Sequence, residues 1–463
     1  MPVSTGKDGR GGGALIPSPG LYEIGDLGGT SCRGIFRVDN YVYVVVDSTL
    51  YRLSVNLSTL SFTSSVLGSL QTSSGNVKFS RNPTQLMLVD GSSGYIVTLS
   101  TGAFAEIADT DFAGGSSVVF CDGYFIYNEP GTALMRSSAL NDGTSWDAAD
   151  VATAESKPDG LVGLAVNKRE IWAFGTNTVE VWYDAANPSG FPFSPRVGSD
   201  MDVGCASAGS IVEVNNLIMW LDSRGFIVQS QVSNYLRENS SGYDIKIVSD
   251  DSLNAEIATY DNISDAIACT YTDRGRIIYQ ISFPSQQKTW AYDQTTGAWT
   301  ERAYYSSYYN ENIDHLIQYT ALWANRYLAC GYQSGKIYIL DRDYFDDNGD
   351  PIHRRRETAP LSIEGKLVGV DKLELRMTTG KATSTGLGSD PQISMRYSNN
   401  GGYTWSDYIQ RSMGKIGEYG KPIIWNRLGT GTEWVFEFTL TEPIDFSMVE
   451  AFVSISEIED TDS

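Results

Sequence analysis

Apolar positions along the chain come in short runs, and the runs come in pairs. Residues 41–46 (Tyr-Val-Tyr-Val-Val-Val) are followed, across Asp47-Ser48-Thr49, by 50–53 (Leu-Tyr-Arg-Leu). Short runs of β-branched and aromatic residues bounded by Asp, Asn, Ser and Gly read as strands joined by tight turns. The same unit recurs at 85–89 with 95–99, at 124–127 with 133–135, and at 171–174 with 179–183 across Gly175-Thr176-Asn177-Thr178. It returns at 217–221 with 226–228, at 276–283 with 289–292, and at 327–330 with 336–340. First strands of successive units are about 40 to 60 residues apart, the length of one four-stranded propeller blade. Each pair is then the middle hairpin of a blade, with segments such as 60–63 and 298–301 as flanking strands. A closed ring also removes the sheet edges that so much β-propensity would otherwise leave open. The pattern predicts an all-β fold with a β-propeller of seven blades. Six remains open if one hairpin belongs to a partial blade or an insertion.

Near residue 345 the rhythm changes. The turn-rich stretch Asp346-Asp347-Asn348-Gly349-Asp350-Pro351 opens a linker at 346–360, and strands follow at 372–377, 393–397, 423–426, 435–440 and 449–454. These predict a smaller, sandwich-like β domain over 361–456. Residues 1–20 hold Gly11-Gly12-Gly13 and read as a flexible arm, 21–345 as the propeller, and 457–463 as a frayed acidic tail.

Composition narrows the function classes. With 34 Lys and Arg against 56 Asp and Glu the net charge is −22, which repels phosphate and anionic lipid. The excess is spread, 10 basic and 16 acidic residues from Arg356 onward and 24 and 40 before it, so neither part is a basic nucleic-acid module. No apolar run approaches the length of a membrane span, and no secretory signal pattern opens the chain. The reading is a protein made and folded in a cytoplasm without membrane insertion. The five cysteines (Cys32, Cys121, Cys205, Cys269, Cys330) are odd in number and widely spaced, so they are expected as buried, reduced thiols. Two histidines, His315 and His353, leave little for metal or triad chemistry, and the acidic turn at 346–350 is read as a turn and not as a calcium loop. No catalytic residue, metal or cofactor is assigned.

Three features stand out as candidates. Arg354, Arg355 and Arg356 form the densest basic run, a solvated linker or else a contact to an acidic patch of a neighbouring subunit or to DNA phosphate. Tyr304, Tyr305, Tyr308 and Tyr309 form an aromatic cluster of the kind found at interfaces or on a blade's outer strand. Ser398, Asn400, Gly402, Thr404 and Trp405 reproduce the spacing of the Asp-box turn of sialidases, in which polar side chains cap a hairpin over the Trp. The expected role here is structural, because the arginine cluster and Tyr/Glu pair of a sialidase have no signature in the chain.

Four stretches in order carry a further resemblance. Ser18-Pro19-Gly20-Leu21 leads through Gly28-Gly29 to Cys32-Arg33-Gly34. Ile171-Trp172-Ala173-Phe174-Gly175 precedes Thr178 to Tyr183 and Phe191-Pro192-Phe193. Tyr271-Thr272-Asp273-Arg274-Gly275 and Phe283-Pro284 precede Thr289-Trp290-Ala291-Tyr292-Asp293 and 296–302. Finally, 398–406 precede 414–419 and Trp425-Asn426-Arg427-Leu428-Gly429. Together they resemble the packaged-DNA stabilisation, or tail nozzle and hub, proteins of short-tailed bacteriophages, though with a shorter lead-in before the first strand. The resemblance implies a non-enzymatic structural protein of the virion tail, assembled in the host bacterial cytoplasm. It implies a homo-hexameric ring on the portal adaptor (head-to-tail connector) proteins that carries tail needle or plug, fibre or tailspike proteins. Such a ring extends the DNA channel, passes DNA without gripping it, and helps retain the packaged genome. The alternatives are a glycan-binding propeller of a virion or cell surface and, further off, a propeller hydrolase.

Overall fold

In the strand Tyr41–Val46 the five residues after Tyr41 are all buried, on both faces of the sheet, whereas Ser61–Ser69 in the same sheet is largely exposed. That contrast is what a propeller imposes. A blade's middle strands lie between two neighbouring blades and become continuously apolar, while its outer strand meets water. The computed structural model describes residues 2–4, 13–154, 159–232, 243–306 and 310–457. Contacts divide the chain into two compact units, one of residues 23–302 and 314–339, the other of 1–22, 303–313 and 340–463.

The first unit holds the propeller. Antiparallel four-stranded sheets span 32–69, 78–106, 118–153, 161–195, 212–247 and 267–301 in sequential order. A seventh is built from Tyr319–Trp323, Arg326–Cys330 and Lys336–Asp341, with the early strand Gly20–Asp26 beside the last of these. Innermost strands touch in cyclic order, and Tyr319–Trp323 meets Cys32–Val38 to close the ring. The seven middle strand pairs are those marked by the apolar runs.

The core is a series of layers between blades. Along Gln85–Val89, Leu86 and Leu88 pack with Tyr43, Val45 and Leu50 of the first blade. Met87 and Val89 pack with Phe125, Tyr127 and Trp146 of the third. The period-2 alternation of a strand thus feeds two layers at once. Between blades five and six the layer also takes Leu253 and Ile257 from the helix Asp251–Ile257, whose first turn is capped by the Asp250 carboxylate accepting from Leu253 N at 2.8 Å. One short helix in a strand-rich stretch leaves little periodic trace in sequence.

The cysteine expectation needs correction. Cys32, at the start of the first blade's inner strand, and Cys330, at the end of the second strand of the seventh, are joined by a disulfide, with Cα atoms 6.2 Å apart across 298 residues of sequence. Ring closure alone brings them together, so their spacing carried no sign of it. Cys121, Cys205 and Cys269 are free and buried.

The second unit is a sandwich. One sheet runs Arg354–Glu357, Val435–Leu440, Gln392–Ser398, Ile409–Ser412. The other runs Pro2–Ser4, Gly13–Leu15, Met448–Glu457, Val368–Met377, Ile423–Gly431. Trp425, Trp434, Leu373, Ile393, Phe436 and Phe438 fill the space between them. Three segments differ from their expected form. Residues 2–4 and 13–15 of the arm pair as strands, with Leu15 opposite Met448. Residues 346–360 contain Asp346–Asp347 paired with Asp350–Pro351, and the edge strand Arg354–Glu357, so they are built into the unit and do not form a linker. Residues 303–313, within the expected propeller, carry the hairpin Ala303–Ser306 and Glu311–Asp314 and cluster with the sandwich. Each is short and held by backbone pairing, and strands of two to four residues are too short to show the apolar alternation that a sequence reading depends on.

Candidate functional site

Of the aromatic cluster, Tyr304 and Tyr305 are described; Tyr308 and Tyr309 lie outside the described residues. Tyr304 Oη donates to the Asp350 carboxylate at 2.5 Å. The Tyr305 ring stacks on His353 with centroids 3.8 Å apart, and its hydroxyl donates to Asn310 Oδ1. Burial pushes the His353 imidazole below its usual value. Both tyrosines are half-buried and spend their polar tips inside the unit.

The basic run begins one residue beyond His353. Arg354 donates to the carbonyls of Phe345 (2.7 Å) and Glu442 (3.0 Å) and lies over the Phe446 ring. Arg355 points to Glu437, a fully buried carboxylate on Val435–Leu440. Four donors converge there: Arg355 Nε (2.8 Å), Arg396 Nε and Nη2 (2.9 and 2.7 Å), and Tyr408 Oη (2.6 Å). Burial alone would raise the Glu437 carboxyl; the bonds from Arg396 and Tyr408 and the charge of Arg355 outweigh it and hold the group below its usual value. Arg356 stays exposed on the outermost strand of its sheet.

Arg396 also ties in the third candidate, lying 4.7 Å from the Trp405 ring and 5.0 Å from Tyr408. In the turn itself Ser398 Oγ donates to Asn400 Oδ1 (2.8 Å) and accepts from Gly402 N (2.8 Å). Thr404 N donates to Asn400 Oδ1 (3.0 Å), and Asn400 Nδ2 to Thr404 Oγ1 (2.8 Å). Gly402, at φ 96°, sits where a side chain would be strained. The spacing describes a self-satisfied turn over a half-buried Trp.

The three candidates therefore form one strip of contacts, running from Tyr304 and Tyr305 through His353 and the arginines to Glu437, Arg396 and Trp405. Its charges are mostly neutralised inside the chain, which leaves Arg356 as its outward-facing cation. Sequence reading missed other exposed groups of the same unit. Tyr403, at the tip of the turn, is 90% exposed, and Leu387, Ile416 and Tyr419 stand 79%, 63% and 75% exposed on loops.

In the propeller the notable polar groups are internal. Arg276 is buried between Asp273 (2.8 Å) and Asp293 (3.2 Å). Arg302 Nη2 donates to His315 Nε2 at 2.9 Å, and the Gln280 amide lies 3.3 Å from His315 Nδ1. Burial, and then the neighbouring Arg302 charge, hold His315 well below its usual value, so it is a neutral core imidazole. At the axis, Tyr319 Oη of the seventh blade donates to Asn76 Oδ1 at 2.6 Å, across 243 residues of sequence, just ahead of the second blade's inner strand Lys78–Arg81. No signal in the sequence marks which inner-strand residues meet there.

A family model described as bacteriophage P22 Gp10, beta-propeller, matches residues 1–344, and one described as bacteriophage P22 Gp10, beta-sandwich, matches residues 353–456. Among solved structures the chain is similar to PorZ, a bacterial surface component of the type-IX secretion system of Porphyromonas gingivalis. The TM-score is 0.41 and the identity 10%, over 69% of this chain and 38% of the length of PorZ. No curated protein sequence matches.

Proposed function

Because the chain belongs to the family of bacteriophage P22 Gp10, structural proteins of the phage tail, we propose that copies of it form a hexameric ring whose central channel, and not the bore of any one propeller, is the path of the genome. The observation that carries this reading is the axis itself. The Tyr319–Asn76 hydrogen bond spans it, and a Cβ placed on Gly209 would fall 2.7 Å from the Asn76 amide nitrogen, so side chains fill the bore. Each propeller then acts as a solid wall block. A net charge of −22 suits a channel wall, since it does not hold phosphate as DNA passes.

In this reading the ring sits on the portal adaptor proteins, carries the needle, fibre or tailspike components, and keeps the packaged genome from escaping. Assembly in the host cytoplasm and the absence of enzymatic activity belong to the same proposal. Arg356, Tyr403, Leu387, Ile416 and Tyr419 are the contacts we would assign to neighbours, since burial in an assembly would remove their exposure to water. The test is a phage that lacks this protein. It should package genomes and then lose them, leaving empty heads without distal tail parts. The isolated protein should bind duplex no better than about 10⁻⁴ M at physiological salt. Stable, DNA-filled heads without the protein would overturn the retention role, and tight, salt-sensitive duplex binding would overturn the passive-wall mechanism.

A further inference from the structure

We propose that the Cys32–Cys330 pair is a redox latch: the propeller closes with both thiols reduced, and the bond is added afterwards, when the folded subunit meets an oxidising medium. The inference rests on the reading of a subunit made and assembled in a host cytoplasm, where thiols are kept reduced. The seam is held together without sulfur. Cys32 N donates to the carbonyls of Gly331 and Ser334, both at 3.1 Å, and Leu27 N donates to Gly335 O at 3.0 Å. The two chains run so close here that a Cβ on Gly335 would fall 2.0 Å from the Gly28 carbonyl oxygen. The strand Gly20–Asp26 lies beside Lys336–Asp341, and Lys336 Nζ meets the Glu23 carboxylate at 2.8 Å.

Each cysteine is also fixed from its own side. Next to Cys32, the buried Arg33 guanidinium donates to the carbonyls of Asp47 (2.8 Å), Thr72 (2.7 Å), Ser74 (2.6 Å) and Gly75 (2.7 Å). Across the seam, Gln318 N donates to Cys330 O at 3.0 Å. These backbone and side-chain bonds set the two Cα atoms 6.2 Å apart, inside the span that a disulfide bridges, so a closed ring already brings the reduced thiols together. With dioxygen as oxidant, the two thiols give up two protons and two electrons, the Sγ–Sγ bond forms, and hydrogen peroxide leaves. Both cysteines are buried, but exposed residues flank them on each side, Thr30 before Cys32 and Gln333 after Cys330, so a small neutral oxidant has little protein to cross. Cys121, Cys205 and Cys269 stay free elsewhere in the ring, so one bond forms and its pairing is set by the fold. Closing the ring first thus removes the hazard of wrong pairing among five cysteines during folding.

The experiment follows the full wild-type chain from the cytoplasm into air. Bacteria expressing it are quenched in acid, which freezes thiol exchange, and the denatured protein is alkylated and weighed; all five cysteines should be labelled. The same chain purified without oxygen should show a cooperative propeller transition in urea. Exposed to dioxygen while folded, it should fall to three labelled thiols, with Cys32 and Cys330 joined in the peptide map, and its unfolding midpoint should rise. Cys330→Ser, treated in the same way, should show no such rise. Overturning results are a bond already complete in the quenched cells, a reduced chain without a cooperative propeller transition, a folded reduced chain that keeps five thiols in oxygen, or a midpoint that rises equally in Cys330→Ser. The phage-deletion phenotype is read separately, so the latch can fail while the tail role stands.

Discussion

Mild acid tests whether the propeller core depends on a neutral His315. The guanidinium of Arg302 can only donate, so His315 Nε2 is the acceptor and carries no proton. Protonating that nitrogen would break the bond and place a second positive charge against Arg302 in a site closed to water. The folded value therefore lies well below the ordinary 6.5, through burial first and the Arg302 charge second. The sign follows. Below pH 6.5 the unfolded chain takes up a proton that the folded chain refuses, so stability falls as pH falls and is fully present only above that value. For a single such group the loss between pH 7.5 and 5.5 is about 1.4 kcal/mol, from RT ln(1 + 10^(6.5 − pH)) evaluated at the two limits. His353 is depressed by burial and adds in the same direction; Asp314, raised chiefly by burial, opposes it. The measurement must therefore be a difference. Urea unfolding of the wild type and of His315→Gln, which keeps an acceptor for Arg302, is followed at both pH values through the propeller transition. The wild type should lose about 1.4 kcal/mol more than the variant on acidification. Equal losses would refute the neutral-imidazole argument, and a wild type that gains on acidification would reverse its sign.

Other consequences concern the sandwich and the ring closure. Glu437→Gln leaves Arg355 and Arg396 without their buried anion; those side chains are 57% and 25% exposed and recover some hydration, so the expected cost is about 2–3 kcal/mol in the sandwich transition. The added change Arg396→Met should recover part of it, and an additive double variant would show that the two groups are not coupled. The Cys32–Cys330 bond predicts three thiols, not five, on labelling under denaturing, non-reducing conditions. With 298 residues between its ends, its loss costs at most about 5.7 kcal/mol on the chain-entropy relation. Five labelled thiols, or a propeller midpoint indifferent to reductant, would remove the disulfide from the account.

What was legible in the sequence follows from how blades are packed. A middle strand such as Leu217–Leu221 is buried against a blade on each side, so nearly every position must be apolar and the run is conspicuous. The outer strand Ala103–Glu106 is mostly in water, and composition does not distinguish it from a loop. Edge strands of the sandwich fail to announce themselves for the same reason: Arg354–Glu357 consists wholly of charged residues and is a strand because Val435–Leu440 offers it backbone partners. The candidate strip was only half visible. Local spacing exposed the turn at Ser398 and Asn400, because all its bonds run within a few residues. Glu437 was invisible, because its significance lies in Arg355 and Arg396, 82 and 41 residues away.

The same distinction separates the two kinds of long-range closure in the propeller. The early strand Gly20–Asp26 joins the last blade, and Cys32 joins Cys330, so both ends of the ring are fastened by groups that sequence places far apart. A sheet that closes on itself must make such a joint somewhere, and the joint is the point at which blades could separate under load. Retention of a genome under pressure would load a tail subunit mechanically. An entropic cross-link and a borrowed strand at the seam act together against that opening, because neither blade one nor blade seven can move away without losing both. Under the proposed retention role, the joint would bear load in addition to its part in folding. It also separates two demands on the sequence. Sealing the axis needs groups such as Asn76 and Tyr319 from several blades, and sealing the circumference needs covalent and strand contacts at one seam only.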